Sequence, residues 1–270
     1  MESSLVCNNC FKKGHFYKDC SEPLMSYGLC CYKQIKEEYY FLMVLRRNTF
    51  TYIEFLRGLY DILDYEYIKN LFSKMNNEEK ELIKKTNYKT LWNNIWLIDD
   101  NSKIKNKTEF YKGIIKFNIL KNGFYHDNKN YSLESFIEES KNNYDDAEWY
   151  FPKGKKNRGE DDKETAKREF IEETNIEEEH LKISDIKFDE KHIGSNGKEY
   201  KTIFYLAEYK KENYTEIIEN FNKGIKNNYQ TLEIGGMKWI SLSELKNYFR
   251  KYEETKKELI NQLLVYFNFA

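Results

Sequence analysis

A cluster of acidic residues at fixed spacing in residues 154–176 constrains this chain more than any other feature. The stretch reads GKKNRGEDDKETAKREFIEETNI, and its spaced residues are Gly154, Glu160, Arg168, Glu169, Glu172 and Glu173. If this segment is helical, the last three carboxylates lie at i, i+3 and i+4 and share one face. Crowded carboxylates repel one another unless a cation lies among them, and Mg²⁺ and Mn²⁺ prefer such oxygen ligands. The spacing therefore predicts a metal-binding helix; the alternative is an ordinary solvated acidic helix.

The residues that precede this helix predict how the chain enters it. Residues 149–155 read WYFPKGK, which is typical of a strand that leads into a tight glycine turn. The combined pattern resembles the signature of the Nudix hydrolases, which cleave a diphosphate linked to another group. One position departs from that signature, because Asn175 stands where the family usually has glycine. Asparagine is the best substitute for glycine in the left-handed conformation that ends a helix, so we expect Asn175 to be tolerated at this position.

The resemblance implies a role for each acidic residue of the motif. Glu169 and Glu173 match the principal metal-ligand positions of the family. Glu172 matches a position that is a metal ligand in some members and the catalytic base in others. Arg168 lies four residues before Glu172 and would orient the carboxylates, and Glu160 would adjoin the ligands.

Four further residues complete the implied site. Gly154 would set the turn before the helix, and the flanking Lys153 and Lys155 could meet substrate phosphates. Decapping members of the family use an additional downstream glutamate as a metal ligand or general base. Glu233, in the segment LEIGGMKWISL, fits that position best. The alternative for Glu233 is an exposed glutamate at the end of a strand.

The N-terminal residues 7–20 read CNNCFKKGHFYKDC and suggest a second metal site. The candidate zinc ligands are Cys7, Cys10, His15 and Cys20. Three thiolates and one imidazole complete a tetrahedral Zn²⁺ shell with no open position, which is typical of a structural site. So short a loop cannot bury an apolar core, so metal binding would supply its folding energy.

This segment resembles the CCHC zinc knuckle of retroviral nucleocapsid proteins, which binds single-stranded nucleic acid. Aromatic side chains of a knuckle stack on bases while lysines contact phosphates. The candidate stacking residues are Phe11, Phe16 and Tyr17, and the candidate phosphate contacts are Lys12, Lys13 and Lys18. The alternatives are a purely structural knuckle and one that binds protein. Cys30 and Cys31 lie in an apolar run and are expected to be buried strand residues rather than ligands.

The charge distribution suits an enzyme that acts on a polyanion. The net charge is −1, but residues 160–179 hold ten acidic and three basic side chains, and residues 101–130 hold seven lysines and two acidic residues. The alternative for the lysine-rich stretch is an ordinary soluble surface. No apolar run is long enough to span a membrane, and no secretory signal is evident, so we expect an intracellular protein with reduced cysteines.

Hydrophobic periodicity predicts a mixture of strands and helices. Strand patterns occur at 27–32, 39–46, 181–192, 200–209 and 233–240. Helical patterns occur at 67–73, 77–85, 88–98, 107–120, 131–142 and 253–269. Residues 50–60 are expected to be extended or irregular, and Ser241 or Ser243 is expected to cap a helix. The apolar stripe of 253–269 is interpreted as core packing.

A more specific resemblance covers most of residues 26–250. Arg57-Gly58 follows Phe55-Leu56, and Leu91-Trp92 with Trp96 lies in the helical stretch before EWYFPKGK. These features resemble the decapping Nudix hydrolases of nucleocytoplasmic large DNA viruses, of the African swine fever virus and mimivirus type. The resemblance implies an α+β protein: a Nudix α/β/α sandwich with a helical insertion and an N-terminal zinc knuckle. The predicted domains are a knuckle at 1–24, a Nudix domain at 25–60 and 146–270, and an insertion at 61–145.

The same resemblance implies a function. The expected reaction is cleavage of the mRNA 5′ cap in the host cytoplasm, with Mg²⁺ or Mn²⁺, to release a methylated GDP and 5′-monophosphate RNA. It also implies activity on diphosphoinositol polyphosphates, which share the diphosphate. A zinc knuckle and a lysine-rich insertion favour capped RNA as the partner. The two alternatives are a hydrolase of diphosphoinositols or nucleoside diphosphate derivatives, and a catalytically silent RNA-binding protein.

Overall fold

The computed structural model describes residues 6–16, 19–99, 102–194 and 197–269, which form two compact units. One unit holds residues up to Val44 and from Trp149 onward, and the other runs from Leu45 to Glu148. Each unit has an apolar core of its own. The second unit begins earlier in the chain than the insertion that the sequence predicts at 61–145.

The described residues form both strands and helices. The strands are β1 (Leu24–Ile35), β2 (Glu38–Arg46), β3 (Phe124–His126), β4 (Lys129–Tyr131), β5 (Trp149–Tyr150), β6 (Lys153–Gly154), β7 (Leu181–Ile193), β8 (Glu199–Tyr209) and β9 (Ile234–Ser241). The helices are α1 (Phe50–Leu56), α2 (Tyr65–Lys74), α3 (Asn77–Lys85), α4 (Tyr88–Trp96), α5 (Lys107–Asn122), α6 (Leu133–Glu139), α7 (Asp162–Thr174), α8 (Glu216–Asn222), α9 (Asn228–Glu233) and α10 (Glu254–Phe269). Short 3₁₀ helices lie at Glu178–His180 and Leu245–Tyr248.

The first unit is built on a mixed sheet. Its strand order is β5-β2-β1-β8-β7, and β6 and β9 add to β1 and β2 respectively. The central strands β1 and β8 run parallel, in register from Leu24 opposite Tyr200 to Tyr32 opposite Glu208. Both are strongly apolar along their length because helices cover both faces of the sheet, as is typical of buried parallel strands.

Side chains of the central strands point alternately to the two faces of the sheet, and each face packs against a different helix. On one face, Ala166 and Phe170 of α7 pack in the core that also contains Leu29 and Tyr205. On the other face, Leu259 and Leu263 of α10 pack in the core that also contains Phe204. The sandwich of helix, sheet and helix predicted from the sequence is confirmed, and the apolar stripe of α10 is core packing as predicted. Cys30 and Cys31 are both fully buried in β1, as expected.

The second unit packs six helices and a small β3–β4 hairpin around an aromatic core. The predicted helices at 67–73, 77–85 and 88–98 are confirmed with small changes in their bounds. The expectation that 50–60 is extended is wrong, because residues 50–56 form α1. Thr49 caps this helix by accepting a hydrogen bond from Tyr52 N at 3.1 Å. Its apolar residues at helical spacing, Tyr52, Phe55 and Leu56, are almost fully buried.

Two connections in the first unit also differ from the sequence-based prediction. The connector predicted at 33–38 is a tight turn at Lys36 and Glu37, because Lys36 adopts the left-handed conformation with φ 58°. The helix predicted after Ser241 is the 3₁₀ turn at Leu245–Tyr248. Ser241 lies in β9, and its hydroxyl is 3.0 Å from that of Ser243, so neither serine caps that turn.

Candidate active site and metal centre

Helix α7 holds the acidic motif and is fixed at both of its ends. Asp161 caps the N-terminus in a capping box, in which its side chain accepts from Glu164 N at 2.8 Å. Asn175 ends the helix in the left-handed conformation, with φ 59° and ψ 24°. Asn175 therefore adopts the left-handed backbone conformation that was expected at the glycine position of the motif.

Arg168 contacts three of the motif carboxylates at once. Its guanidinium donates to Glu160 Oε1 at 2.6 Å, to Glu169 Oε1 at 2.7 Å and to Glu172 Oε2 at 3.1 Å. The guanidinium also donates to the backbone oxygen of Lys155 at 2.8 Å. The pKa of Glu160 falls to about 2, chiefly because of its hydrogen bonds with Arg168. Arg168 therefore orients the acidic side chains and joins the helix to the loop before it.

The importance of Gly154 comes from the close approach of the Glu169 side chain to its backbone rather than from a turn. It lies in β6, opposite Tyr27 of β1, and its φ is not in the left-handed region. A Cβ atom at this position would overlap the carboxylate of Glu169. The predicted role of Gly154 is thus corrected: the absence of a side chain makes room for a metal-ligand candidate.

Glu173 is buried and held by two donors that the sequence pattern does not reveal. Its side chain is only 5% exposed. The hydroxyl of Tyr150 donates to Oε1 at 3.0 Å, and the backbone N–H of Lys153 donates to Oε2 at 3.1 Å. Tyr150 belongs to the WYFPKG segment directly before the acidic motif. Its position there is the one feature of the sequence that could have pointed to a contact with the motif. Both donors fix the orientation of the carboxylate.

Glu233 lies at the end of α9 rather than inside a strand, and its charge reaches the motif. The pKa of Glu169 is raised first by burial, and the charges of Glu172 and Glu233 raise it further. Helix α9 is tied to α7 by Asn227, whose side-chain amide donates to the backbone oxygen of Glu172 at 2.9 Å. The fold therefore brings Glu233 to the motif across more than fifty residues of sequence.

The donor chemistry of this cluster fits a hard divalent cation. Among the described residues, the Arg168 guanidinium contacts Glu160, Glu169 and Glu172, and the charge of Glu233 acts on Glu169. Glu173 is the next residue after Glu172 on the same helix. The excess negative charge of these carboxylates and their all-oxygen donor set match the preferences of Mg²⁺ and Mn²⁺. The repulsion that raises the pKa of Glu169 is the kind that a bound cation relieves.

The N-terminal cysteines and histidine form a second ligand cluster in the described residues. The ligand atoms of Cys7, Cys10, His15 and Cys20 all lie within 4.8 Å of one another. Cys10 Sγ is 3.4 Å from His15 Nε2. Asn9 donates from its backbone N to Cys7 Sγ at 3.4 Å and from its side chain to Cys20 Sγ at 3.3 Å. The pKa of Cys20 is lowered to about 6, first by the Asn9 hydrogen bond, which favours the thiolate that a metal binds.

The knuckle loop presents part of the predicted nucleic-acid surface. Phe16 is 56% exposed, and Phe11 is half-buried in the left-handed conformation. Lys13 is exposed, whereas Lys12 forms an ion pair with Glu22 at 2.7 Å. Gly14, directly before His15, has φ +101°, a backbone conformation that favours glycine. Tyr17 and Lys18, which the sequence also predicts, lie outside the described residues.

Comparison with known proteins agrees with this geometry. The NUDIX domain model matches residues 135–263, which include α7, the Gly154 strand and Glu233. In the described part of the chain, none of the helices is long and apolar enough to cross a membrane.

Two viral proteins are similar in sequence to this chain over most of its length. The chain is 28% identical to the "Putative mRNA-decapping protein" of Acanthamoeba polyphaga mimivirus, over 97% of this chain and 94% of that protein. It is also 28% identical to mRNA-decapping protein g5R of an African swine fever virus isolate, over 81% of this chain and 84% of that protein. A second isolate's g5R protein is 30% identical over 62% of this chain and 64% of that protein. The motif geometry and the domain match agree that residues 135–263 of this chain form a NUDIX domain.

Proposed function

We propose that this protein is a metal-dependent hydrolase that removes the 5′ cap of mRNA. The products would be 7-methyl-GDP and RNA with a 5′ monophosphate. The observation that carries the proposal is the position of Glu169 and Glu172 on one face of α7, where Arg168 contacts both carboxylates and the charge of Glu233 acts on Glu169. The names of the viral relatives select the cap from among the diphosphates that such a site could cleave.

Glu169, Glu172, Glu173 and Glu233 would hold one or more Mg²⁺ or Mn²⁺ ions. A cation held there polarises a phosphoryl oxygen and lowers the pKa of a bound water. Arg168 keeps Glu169 and Glu172 directed to the same side of α7 through its two short contacts. Tyr150 and the Lys153 N–H hold Glu173 in a single orientation, so little reorganisation is needed when substrate arrives.

Two groups would act on the reacting water and on the phosphates. Glu233 is exposed at the end of α9 and can accept a proton from water, while Glu172 is the second candidate for that base. The water oxygen forms the new P–O bond, and the phosphoanhydride bond between the 7-methyl-GDP portion and the RNA 5′ phosphate breaks. Lys153 and Lys155, beside Gly154, would contact the phosphates and favour the charge on the departing group.

We propose that the knuckle binds Zn²⁺ through Cys7, Cys10, His15 and Cys20 and contacts the RNA body. The fit is supported by the mutual approach of the four ligand atoms and by the N–H···S hydrogen bonds from Asn9. Exposed Phe16 and Lys13 offer a base platform and a phosphate contact in one short loop. The knuckle would raise affinity for RNA without taking part in bond cleavage.

The two alternatives have less support. None of the similar proteins reported above is named for a diphosphoinositol substrate. A catalytically silent protein would have no need to keep Glu173 buried and doubly hydrogen-bonded beside three further carboxylates. The interpretation as an enzyme therefore stands on the geometry of the acidic residues as well as on the family.

A comparison of two substrates tests the proposal. Purified full-length protein with Mg²⁺ or Mn²⁺ is given cap-labelled RNA and, separately, a diphosphoinositol pentakisphosphate. We expect release of 7-methyl-GDP from the RNA at a much higher kcat/KM than phosphate release from the inositol compound. Cleavage of the inositol compound alone would contradict the proposal, and no cleavage of either would favour the silent RNA-binding protein.

A further inference from the structure

A second group of side chains lies on the opposite face of the sheet from α7, at the end of the β7–β8 hairpin. His192 of β7 and Tyr200 of β8 are directly opposite each other, and their rings stack with centroids 5.0 Å apart and an interplanar angle of 6°. His192 is exposed and Tyr200 is half-buried. A flat pair of this kind at a partly open surface is a platform on which another planar ring can stack.

A buried carboxylate adjoins this platform. Glu190 is two residues before His192 in β7, so both side chains point to the same face of the sheet. Glu190 is 7% exposed, and its Oε1 accepts a hydrogen bond from Thr255 in the first turn of α10 at 3.1 Å. No ion pair of Glu190 with a lysine or arginine is found among the described residues. Since burial of an acidic group is costly, such a carboxylate suits a partner that supplies N–H donors.

Lys153 connects this face to the metal-binding carboxylates. Its backbone N–H donates to Glu173, which belongs to the α7 face. Its Cβ lies against Gly28 beside the ring of Phe204, and Phe204 packs in the core that contains residues of α10. The side chain of Lys153 therefore starts on the same face as Glu190 and Tyr200, while its backbone touches the catalytic carboxylate. The chain crosses from one face to the other at this residue.

The spacing along the sheet sets the size of the molecule that would fit. Lys153 pairs with Gly28, and Gly28 pairs with Phe204, four residues beyond Tyr200 in β8. At a rise of about 3.3 Å per residue, the platform lies about 13 Å along the strand from the level of Lys153. The flexible Lys153 side chain covers part of this backbone distance, because its charge acts on His192, and the remaining span suits a nucleoside diphosphate with its phosphates at the Lys153 ammonium and its base at Tyr200. Lys153 and Lys256 both act electrostatically on His192, which places two cations near the same surface.

We propose that His192, Tyr200 and Glu190 form the binding site for the guanine base of the cap; this inference rests on the proposed function and specifies its substrate. The base would stack on the aromatic pair, and the Glu190 carboxylate would accept the N1–H and the exocyclic N2–H of guanine. Among the common bases, guanine presents two adjacent donors on that edge, whereas adenine presents one donor beside an acceptor. The site would therefore select guanine over adenine.

The charges of the site suit a 7-methylguanine in particular. Methylation at N7 gives the ring a positive charge, which strengthens its attraction to an aromatic face and to a carboxylate. Partial burial lowers the pKa of His192 below its usual value, which favours the neutral imidazole, and a neutral imidazole does not repel the cationic base. The phosphates attached to this nucleoside would extend toward Lys153 and then toward Glu173.

Equilibrium binding tests the inference without depending on turnover. Calorimetric titration of the full-length protein with 7-methyl-GDP, GDP and ADP, in the presence of Mg²⁺, gives a Kd for each ligand. We expect 7-methyl-GDP and GDP to bind at least about tenfold tighter than ADP, because a carboxylate left facing adenine loses a donor. Glu190→Gln should reduce the preference for guanine to about threefold or less, since an amide cannot accept both donors.

Matched variants separate base recognition from effects on folding. Glu199→Gln, an exposed position next to Tyr200 in β8, should retain the guanine preference. Tyr200→Phe should retain affinity, and Tyr200→Ala should lose about tenfold or more of it, as expected for a lost stacking partner. Thermal unfolding of every variant shows that the fold is kept, and His192→Ala gives an exposed second site if Tyr200→Ala is poorly folded.

The results distinguish a failure of the inferred base site from a failure of the proposed function. Equal affinity of the wild-type protein for GDP and ADP, or an undiminished guanine preference in Glu190→Gln, would overturn the inferred base site. Absence of cap cleavage by a protein that nonetheless prefers GDP through Glu190 would overturn the proposed function and leave the base site standing. A guanine preference lost in Glu190→Gln and kept in Glu199→Gln would support the inference.

Discussion

Asn175 shows how a single residue decides whether the acidic helix ends correctly. Its backbone is left-handed, and its side-chain oxygen accepts from Asn227 at 3.4 Å. We expect Asn175→Ala to lower the free energy of unfolding by about 1 kcal/mol, because a Cβ without a local hydrogen bond is strained in this conformation. Asn175→Gly should match or slightly exceed the wild type. The Gly variant also lacks the hydrogen bond to Asn227, so the comparison isolates the backbone contribution. Urea unfolding measures both changes, and an Ala variant as stable as the Gly variant would contradict the argument.

At the same scale, spacing predicted the site only where the partners are close in sequence. Arg168, Glu169, Glu172 and Glu173 could be placed on one helix face because helical periodicity fixes their directions. Tyr150 and Glu190 could not be assigned to any site, because their contacts with Glu173 and Thr255 depend on strand pairing and on the packing of α10. The role of Gly154 was misjudged because a close approach to Glu169 leaves no mark in the local sequence.

At the scale of elements, Glu79 makes the stability of the helical unit depend on pH. Its buried carboxylate accepts from Thr49 N at 2.7 Å, from Thr49 Oγ1 at 2.6 Å and from Asn76 N at 3.1 Å, so it joins the starts of α1 and α3. Burial raises the pKa of Glu79 to about 7 despite these donors. The unfolded chain therefore releases this proton at lower pH than the folded chain. The stabilising contribution is complete below about pH 4.5 and is lost as the pH rises through 7.

The loss of stability with rising pH gives a measurable prediction. Between pH 5 and pH 8 the wild type should lose about 2 kcal/mol of stability from Glu79. Glu79→Gln cannot titrate, so the difference in stability between variant and wild type should shift by that amount in favour of the variant as the pH rises. Chemical unfolding at several pH values, followed by tryptophan fluorescence of the helical unit, measures the shift. Parallel pH profiles for the two proteins would show that Glu79 does not titrate in this range.

The N-terminal cluster of Cys7, Cys10, His15 and Cys20 is an element whose folding should depend on a bound metal. Cys10→Ser should lose bound zinc, measured by elemental analysis, because a hydroxyl is a poor substitute for a thiolate ligand. Affinity for single-stranded RNA should fall by about tenfold or more, whereas hydrolysis of a cap dinucleotide should be unchanged. Asn8→Ser, at an exposed position in the same loop, should retain zinc and affinity. RNA affinity that survives the loss of zinc would refute the role proposed for the knuckle.

The prediction of elements failed where local and tertiary signals compete. Residues 50–56 carry aromatic and β-branched side chains, which favour strands, yet they form α1 because Thr49 caps the helix and Tyr52, Phe55 and Leu56 become buried at helical spacing. The helices α2 to α4 were predicted from periodicity because each buries one clear face. The long strands β1 and β8 are buried on both faces and were predicted from their β-branched and aromatic content. Tertiary burial, rather than propensity, decided the exception.

At the scale of the whole molecule, we expect the chemistry in one unit and part of the RNA contact in the helical unit. Lys103, Lys105 and Lys107 are exposed in the helical unit, before and at the start of α5. Replacing all three with Gln should raise KM for long capped RNA and leave hydrolysis of a cap dinucleotide unchanged. The slope of log affinity against log salt concentration should fall by up to about 2, since about 0.7 counterion is released per phosphate contact.

A matched set of substitutions makes this test specific. Lys182, Lys223 and Lys246 are exposed lysines outside the lysine-rich stretch, and their replacement with Gln changes the net charge by the same amount. If this control set alters the salt slope as much as the first set does, the contact is a general effect of charge. The lysine-rich stretch would then be an ordinary soluble surface.

The identity of the labelled product tests the central claim most directly. Capped RNA labelled in the cap is incubated with the full-length protein and Mg²⁺ or Mn²⁺, and the products are separated by chromatography. We predict 7-methyl-GDP as the labelled product, with a rate that falls at least about a hundredfold in Glu173→Gln and stays near wild type in Glu179→Gln, an exposed control beyond α7. A labelled product other than 7-methyl-GDP, or a rate that Glu173→Gln leaves unchanged, would contradict the account.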